Sequence, residues 1–205
     1  MTFADLAPFL IASIAIELTP GPNMFYIALL SAQNGRLAGL AASAGVALGL
    51  LIIGLLAAFG FSAIIAEHRL AYETLRWAGV AYLLWLAWDT WRDTALEAAP
   101  ARSGPIMSES FTRGLITNLL NPKAFLFYIT VLPSFIPDKD SGPADAIVLT
   151  LSYVAVATVV HLAIVGGASS VTGYLDNSER RRRTGQLFAI MLVGVAVWVA
   201  IKTAV

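Results

Sequence analysis

The 205-residue chain contains no cysteine, which excludes disulfides and thiolate chemistry. Histidine occurs twice, at His68 and His161, too few for a His-rich metal site. No metal or cofactor is expected. Charge is scarce: 13% of residues are Asp, Glu, Lys or Arg, about half the usual share of a soluble domain. Thirteen basic side chains balance thirteen acidic ones, so no net charge draws the chain to nucleic acid. The N-terminal apolar run has no Lys or Arg before it and no small-residue cleavage site after it. It reads as a retained helix and not as a removed signal peptide.

Apolar residues stand in excess, at 58% of the chain with a mean hydropathy of +0.76. A soluble domain of this size lacks the interior to hide so much apolar surface, whereas a bilayer accepts it. A hydrocarbon core of ~30 Å needs ~20 mostly apolar residues in a helix. Charges mark the gaps. None occurs between Arg36 and Glu67 or between Asp145 and Asp176, and Thr184–Ile201 is also clean. Three further spans are interrupted. Leu6–Gln33 contains Glu17 and Pro20-Gly21-Pro22, Leu70–Trp91 carries Glu73, Arg76 and Asp89, and Phe111–Ile136 contains Asn121-Pro122-Lys123. The expectation is an all-α integral membrane protein of six transmembrane helices, forming a single transmembrane domain over residues 1–205.

Two loops are polar. Arg92–Ser110 holds Pro100, Gly104 and Pro105, and the loop before the last span holds Arg180-Arg181-Arg182-Arg183. The arginine run reads first as a topology anchor and second as a contact for lipid headgroups. Arg36, Arg92, Arg102, Arg113 and the run fall on one side, against Arg69, Arg76, Lys139 and Lys202 on the other. The richer side is expected in the cytoplasm, with both termini outward across a bacterial inner membrane.

The two halves resemble each other. Pro22-Asn23-Met24-Phe25 matches Pro122-Lys123-Ala124-Phe125, and Gly79-Val80-Ala81 matches Gly194-Val195-Ala196, in the same order. Helix packing alone also repeats small residues, but the ordered matches favour two three-helix repeats, about 1–95 and about 111–205. Three is odd, so the second repeat would be inverted. Inverted repeats place a transporter's substrate at mid-membrane, where broken helices meet.

The chemistry gathers at those breaks. Pro20 and Pro22 around Gly21 stop a helix, and backbone freed in hydrocarbon is tolerated only where it lines protein or a wet cavity. Glu17 precedes the break, and an ionisable group at that depth defaults to function. Its counterpart holds Asn118, Asn121, Pro122 and Lys123. If Pro22 and Pro122 lie at one level, Glu17 and Lys123 differ in height by ~6 Å, which two long side chains can close. Lys123 is therefore expected either to hold an anionic substrate group or to pair with Glu17. A zwitterionic amino acid suits Glu17, Thr19, Pro20, Gly21, Pro22, Asn23, Asn118, Asn121, Pro122 and Lys123 taken together. Proton coupling is expected through Glu17. Other features read as packing. Gly39, Ser43, Gly45 and Gly49 form a small-residue face for helix or dimer contact. Trp77, Trp88, Trp91 and Trp198 read as interfacial anchors, Trp85 as a packing residue and Asp89 as a water-facing edge residue. His161 reads as a hydrogen-bonded structural histidine, with a proton relay as the alternative.

ELTPGPNM at Glu17–Met24, GLITNLLNPKAFLFY at Gly114–Tyr128 and WAGVAYLLWLAW at Trp77–Trp88 together resemble the LysE/RhtB family of amino-acid exporters. The resemblance covers nearly the whole chain. It implies efflux of amino acids or related metabolites, driven by the proton-motive force, and a homodimer. Family exporters of basic amino acids carry GPQN in the first motif and acids in the second span and after the NP element. Here those places read Gly21-Pro22-Asn23-Met24, an acid-free second span and Phe125-Leu126-Phe127. The departure points to the homoserine/threonine branch and to neutral or zwitterionic substrates. Two other functions compete. A membrane enzyme needs a nucleophile set that the sequence does not suggest, and a channel or structural subunit would want a ring of like groups from several chains.

Overall fold

The computed structural model describes residues 3–60, 68–95, 106–136, 143–170 and 177–202. Most of the Arg92–Ser110 loop, with Arg102, and Lys139 and Asp176 lie outside the described residues. Every described element is helical. In chain order they are α1 (Phe3–Glu17), α2 (Pro22–Asn34), α3 (Arg36–Ala58), α4 (Arg69–Ala95), α5 (Ile106–Leu119) and α6 (Pro122–Leu126). A π-helical turn (Phe127–Val131) and a 3-10 turn (Leu132–Phe135) continue α6, and α7 (Pro143–Ser169) and α8 (Ser178–Lys202) follow.

Three helices are long and apolar enough to cross a membrane: Arg36–Ala58, Pro143–Ser169 and Arg182–Ile201. These are the three clean runs of the sequence. A further pair, Met107–Leu119 and Pro122–Phe135, is apolar enough when taken together but meets at 49°, the form of a broken span or a re-entrant loop. By length and composition the described helices thus supply three to four spans, where six were expected. The shortfall has a local cause at each place. α1 is apolar but stops at Glu17, and α4 carries Glu73, Arg76, Asp89 and Arg92 near its ends.

Proline and glycine set the element ends. Pro20 drives the residue before it out of helical conformation, and Pro22 starts α2 at the position where a missing N–H costs nothing. Gly35 alone separates α2 from α3, at φ 84°, a left-handed conformation that an L side chain resists.

α3 is the centre of the bundle. It packs along α5 and α7 and also touches α2, while α4 pairs with α8. Small residues bring backbones together. A Cβ at Gly45 would land on the Phe111 carbonyl of α5, and one at Gly114 of α5 would land on the Ala42 carbonyl of α3. Gly39 faces Ser31 and Val165, and Gly54 faces Thr150 and Tyr128. The small-residue face of α3 is therefore turned to partners inside the chain, which is helix packing and not a dimer contact. α4 and α8 are joined by Arg76, whose guanidinium donates to the Ala200 carbonyl and pairs with Glu73 at 2.7 Å.

Two expectations on α4 fail. Asp89 is no water-facing edge residue: Arg113 of α5 reaches it at 2.6 Å and leaves it 14% exposed. Trp85 is not packed inside. It stands on the outer face at 42% exposure, with Tyr82 and the Arg113 guanidinium against its ring. Trp77, Trp88, Trp91 and Trp198 also face outward, as anchors should.

Candidate functional site

α1 ends in its own hydrogen bonds, Leu18 N–H to the Ile14 carbonyl at 2.9 Å and Thr19 N–H to Ile16 at 3.0 Å. The chain then runs extended through Gly21, which caps α2 without any side-chain hydrogen bond. The first N–H groups of α2 are thus left for partners from elsewhere, at the positive end of the helix. Glu17 is buried, and its carboxylate accepts a 2.6 Å hydrogen bond from the Tyr153 hydroxyl of α7.

The second break is tighter. Asn121 N–H donates to the Asn118 carbonyl at 2.9 Å, and the Asn121 side chain accepts from Lys123 N–H at 3.0 Å. That is an N-cap on α6, with Pro122 in the first helical position. The π turn that follows adds a residue to the helical circuit and turns both Phe127 and Tyr128 inward. Phe127 stacks on Tyr153 with ring centroids 3.6 Å apart, and Phe9 and Tyr128 close the aromatic cluster.

The two breaks meet. Lys123 Nζ donates to the Thr19 carbonyl at 2.7 Å, closing one of the backbone groups that Pro20 set free. The Asn23 amide donates to the Asn118 side-chain oxygen at 2.8 Å in a buried bond. Between them lies a small pocket lined by Glu17, Gly21, Asn23, Asn121, Lys123 and Tyr153, with Met24, Leu50 and Ala124 as its apolar wall. Gly21 leaves room for the lysine: a Cβ there would come 3.3 Å from Lys123 Cδ.

Five of the ten residues expected from sequence share this cavity. The other five fall around it. Thr19 contributes its carbonyl, while its hydroxyl turns back to Ala15 at 3.4 Å, and Pro20 is exposed. Pro22 and Pro122 are buried and shape the helix starts. Asn118 stands behind Asn23, wedged against α3 where Gly49 has no side chain.

Two expectations need correction. Lys123 does not pair with Glu17, because the Thr19 carbonyl takes the ammonium and the Tyr153 hydroxyl takes the carboxylate. His161 is not a hydrogen-bonded structural histidine. It is buried, neither ring nitrogen has a hydrogen-bond partner among the described residues, and Nε2 lies 3.7 Å from a Glu17 oxygen. Tyr153 was missed altogether. A signal existed: Leu149, Tyr153, Ala157, His161 and Val165 recur every four residues on α7 and are all buried. Two polar side chains on one apolar stripe, with only alanine between them, mark a face turned to something polar.

The family model "LysE type translocator" matches residues 14–203. A homoserine/homoserine lactone efflux protein of Salmonella typhimurium is 28% identical over 197 residues, covering 95% of this chain and 96% of that protein. A leucine efflux protein of Klebsiella pneumoniae is 30% identical over 202 residues, covering 94% and 92%. A membrane protein of Vibrio cholerae is 28% identical over 194 residues, 94% of each. No solved structure matches. With both of its helix breaks inside the matched region, the chain belongs to the LysE type translocators.

Proposed function

We propose that the protein exports neutral, zwitterionic amino acids or close relatives of them from the bacterial cytoplasm, exchanging them for protons. The observation that carries this is the charge balance of the cavity: its lining holds one carboxylate, Glu17, and one ammonium, Lys123. A buried cavity with both signs suits a ligand with both signs, since an unpaired charge in low dielectric is costly. The Lys123–Thr19 hydrogen bond already has the shape of the complex. A substrate slipped between the two would give its carboxylate to Lys123 and its ammonium to the Thr19 carbonyl and Glu17. Asn23 and Asn121 would supply amide contacts. The relatives named for homoserine and leucine efflux handle molecules of that class.

The architecture that goes with this reading is six spans as two inverted repeats in the inner membrane. The packing supports it. Exchanging α3 with α7, α4 with α8 and the first break with the second maps the α3–α5 contact onto α7–α1, and both contacts exist. The α3–α7 and α4–α8 contacts map onto themselves. Charge pairing at Arg76–Glu73 and Arg113–Asp89 lets α4 serve as a span despite its composition.

Profiling of the medium tests the reading. Cells expressing the protein accumulate a neutral amino acid outside, with homoserine and leucine measured first. Lys123→Ala and Glu17→Gln abolish that accumulation at equal membrane content. Accumulation that persists in both variants overturns the site.

A further inference from the structure

Behind Glu17, away from the cavity, lies His161, which the substrate site does not use. It is 1% exposed, and among the described residues neither ring nitrogen has a hydrogen-bond partner. Buried polar groups are nearly always satisfied, so an unsatisfied one calls for a reason. Its Nε2 faces Glu17 Oε2 at 3.7 Å, while Oε1 of the same carboxylate is held by Tyr153 at 2.6 Å. Phe127, stacked flat on Tyr153, fixes the phenol that fixes the carboxylate. The three groups come from two helices, with α7 giving Tyr153 and His161 and α1 giving Glu17.

We infer that Glu17 and His161 form one proton-binding pair, aligned by Tyr153, in which the imidazole is the proton's second seat. The inference rests on the export reading and deepens it. Glu17 has two sides. One faces the cavity, where a substrate ammonium would sit, and the other faces His161. Without a proton the pair carries one negative charge, and with one it is neutral. A buried carboxylate cannot balance a proton and a substrate ammonium at once without leaving a surplus positive charge in low dielectric. Binding of the ammonium therefore expels the proton, and departure of the substrate readmits it, which is the logic of exchange. Interacting groups of this kind titrate as a pair and not singly. Among the described residues one other charge, Lys123, acts on His161, from α6. α2 carries no charged residue, α3 carries none from Leu37 to Ala58, and the phenols that act on Glu17 are those of Tyr128 and Tyr153.

The pair can be read directly, because the chain has two histidines only and His68 is exposed. In full-length H68Q protein in lipid nanodiscs, nitrogen-15 resonances of histidine report His161 alone. Adding E17Q weakens proton binding at His161 by roughly tenfold or more, as loss of a charge about 4 Å away should. Coupling is reciprocal, so H161Q moves the titration of the carboxyl infrared band that E17Q removes by the same factor. Either variant suffices if the other fails to fold. A change below twofold in the variant that folds overturns the pair. Export lost in K123A with unmoved titrations overturns the pair and leaves the export reading standing. Moved titrations with export intact in K123A and E17Q do the reverse.

Discussion

Between Glu17 and Pro22 the backbone leaves the helix for four residues, and between Leu119 and Pro122 for two. The longer break is completed from far away in the chain. Lys123 supplies Thr19 across 104 positions, Asn118 supplies Asn23 across 95 and Tyr153 supplies Glu17 across 136. The shorter break completes itself, through Asn121 capping Lys123 N–H two residues on. Local bonds survive when helices slide, and long-range bonds do not. The first break is therefore the adaptable one and the second the rigid one that carries Lys123 into it. Under the export reading proposed above, motion of α6 and α7 against α1 and α2 would open the first break without unmaking the second.

The largest test removes the link itself. Lys123→Met keeps the stem and deletes the ammonium, leaving the Thr19 carbonyl and any substrate carboxylate without their donor. A hydrogen bond to a charged group contributes about 1.5–3 kcal/mol. Initial export rates in membrane vesicles should fall roughly ten- to a hundredfold, with Lys123→Arg recovering part of the loss. An undiminished rate in Lys123→Met would show that the two breaks work independently.

Next comes the rigid break. Gly79 of α4 sits against it, so that an added Cβ would meet the Leu120 carbonyl. Backbone cannot step aside as a side chain can. Gly79→Ala should lower stability by about 1–3 kcal/mol, the usual range for overpacking, seen as a lower thermal midpoint of the purified protein. A wild-type midpoint would mean that the second break yields as easily as the first.

Much of this site was legible in the sequence, and the reason is chemical. Proline and asparagine signal locally, so both breaks and the cavity residues Glu17, Asn23, Asn121 and Lys123 could be read from their immediate neighbours. What the neighbours cannot give is the rotation of one helix against another. Tyr153 and His161 mark one stripe of α7 as facing something polar, but only the rotation of α7 shows that the partner is Glu17. Pairing of Lys123 with Glu17 was read from height alone, and height does not reveal that a freed carbonyl at Thr19 lies nearer. Asp89 failed in the same way, since its partner Arg113 belongs to the next helix.

A smaller effect separates capping from transport. Asn121→Ala removes the side-chain acceptor of α6 and should cost about 1 kcal/mol of stability, with Asn121→Asp or Asn121→Ser restoring most of it. Denaturant unfolding at constant pH reads it. If the cap is self-contained, Asn121→Ala and Tyr153→Phe, which removes the donor to Glu17, should add without coupling. A coupling above about 0.5 kcal/mol would place Asn121 in the long-range network and blur the contrast between the breaks.

The smallest effect falls on Gly21. Its φ of −151° is open to any residue, so Gly21→Ala strains no backbone. The new methyl would stand 3.3 Å from Lys123 Cδ, a tight contact with the middle of a flexible stem. The lysine can yield by a few tenths of an ångström, and stability should change by less than about 0.5 kcal/mol. Such a shift tilts the ammonium relative to the Thr19 carbonyl, and export should slow by about twofold, which corresponds to ~0.4 kcal/mol. The contrast with Gly79→Ala is the informative part. The same methyl, placed against side chain at one break and against backbone at the other, should cost transport in the first case and folding in the second. Equal melting losses in the two variants would mean that the first break is as rigid as the second, and the moving part of the transporter would have to be sought elsewhere.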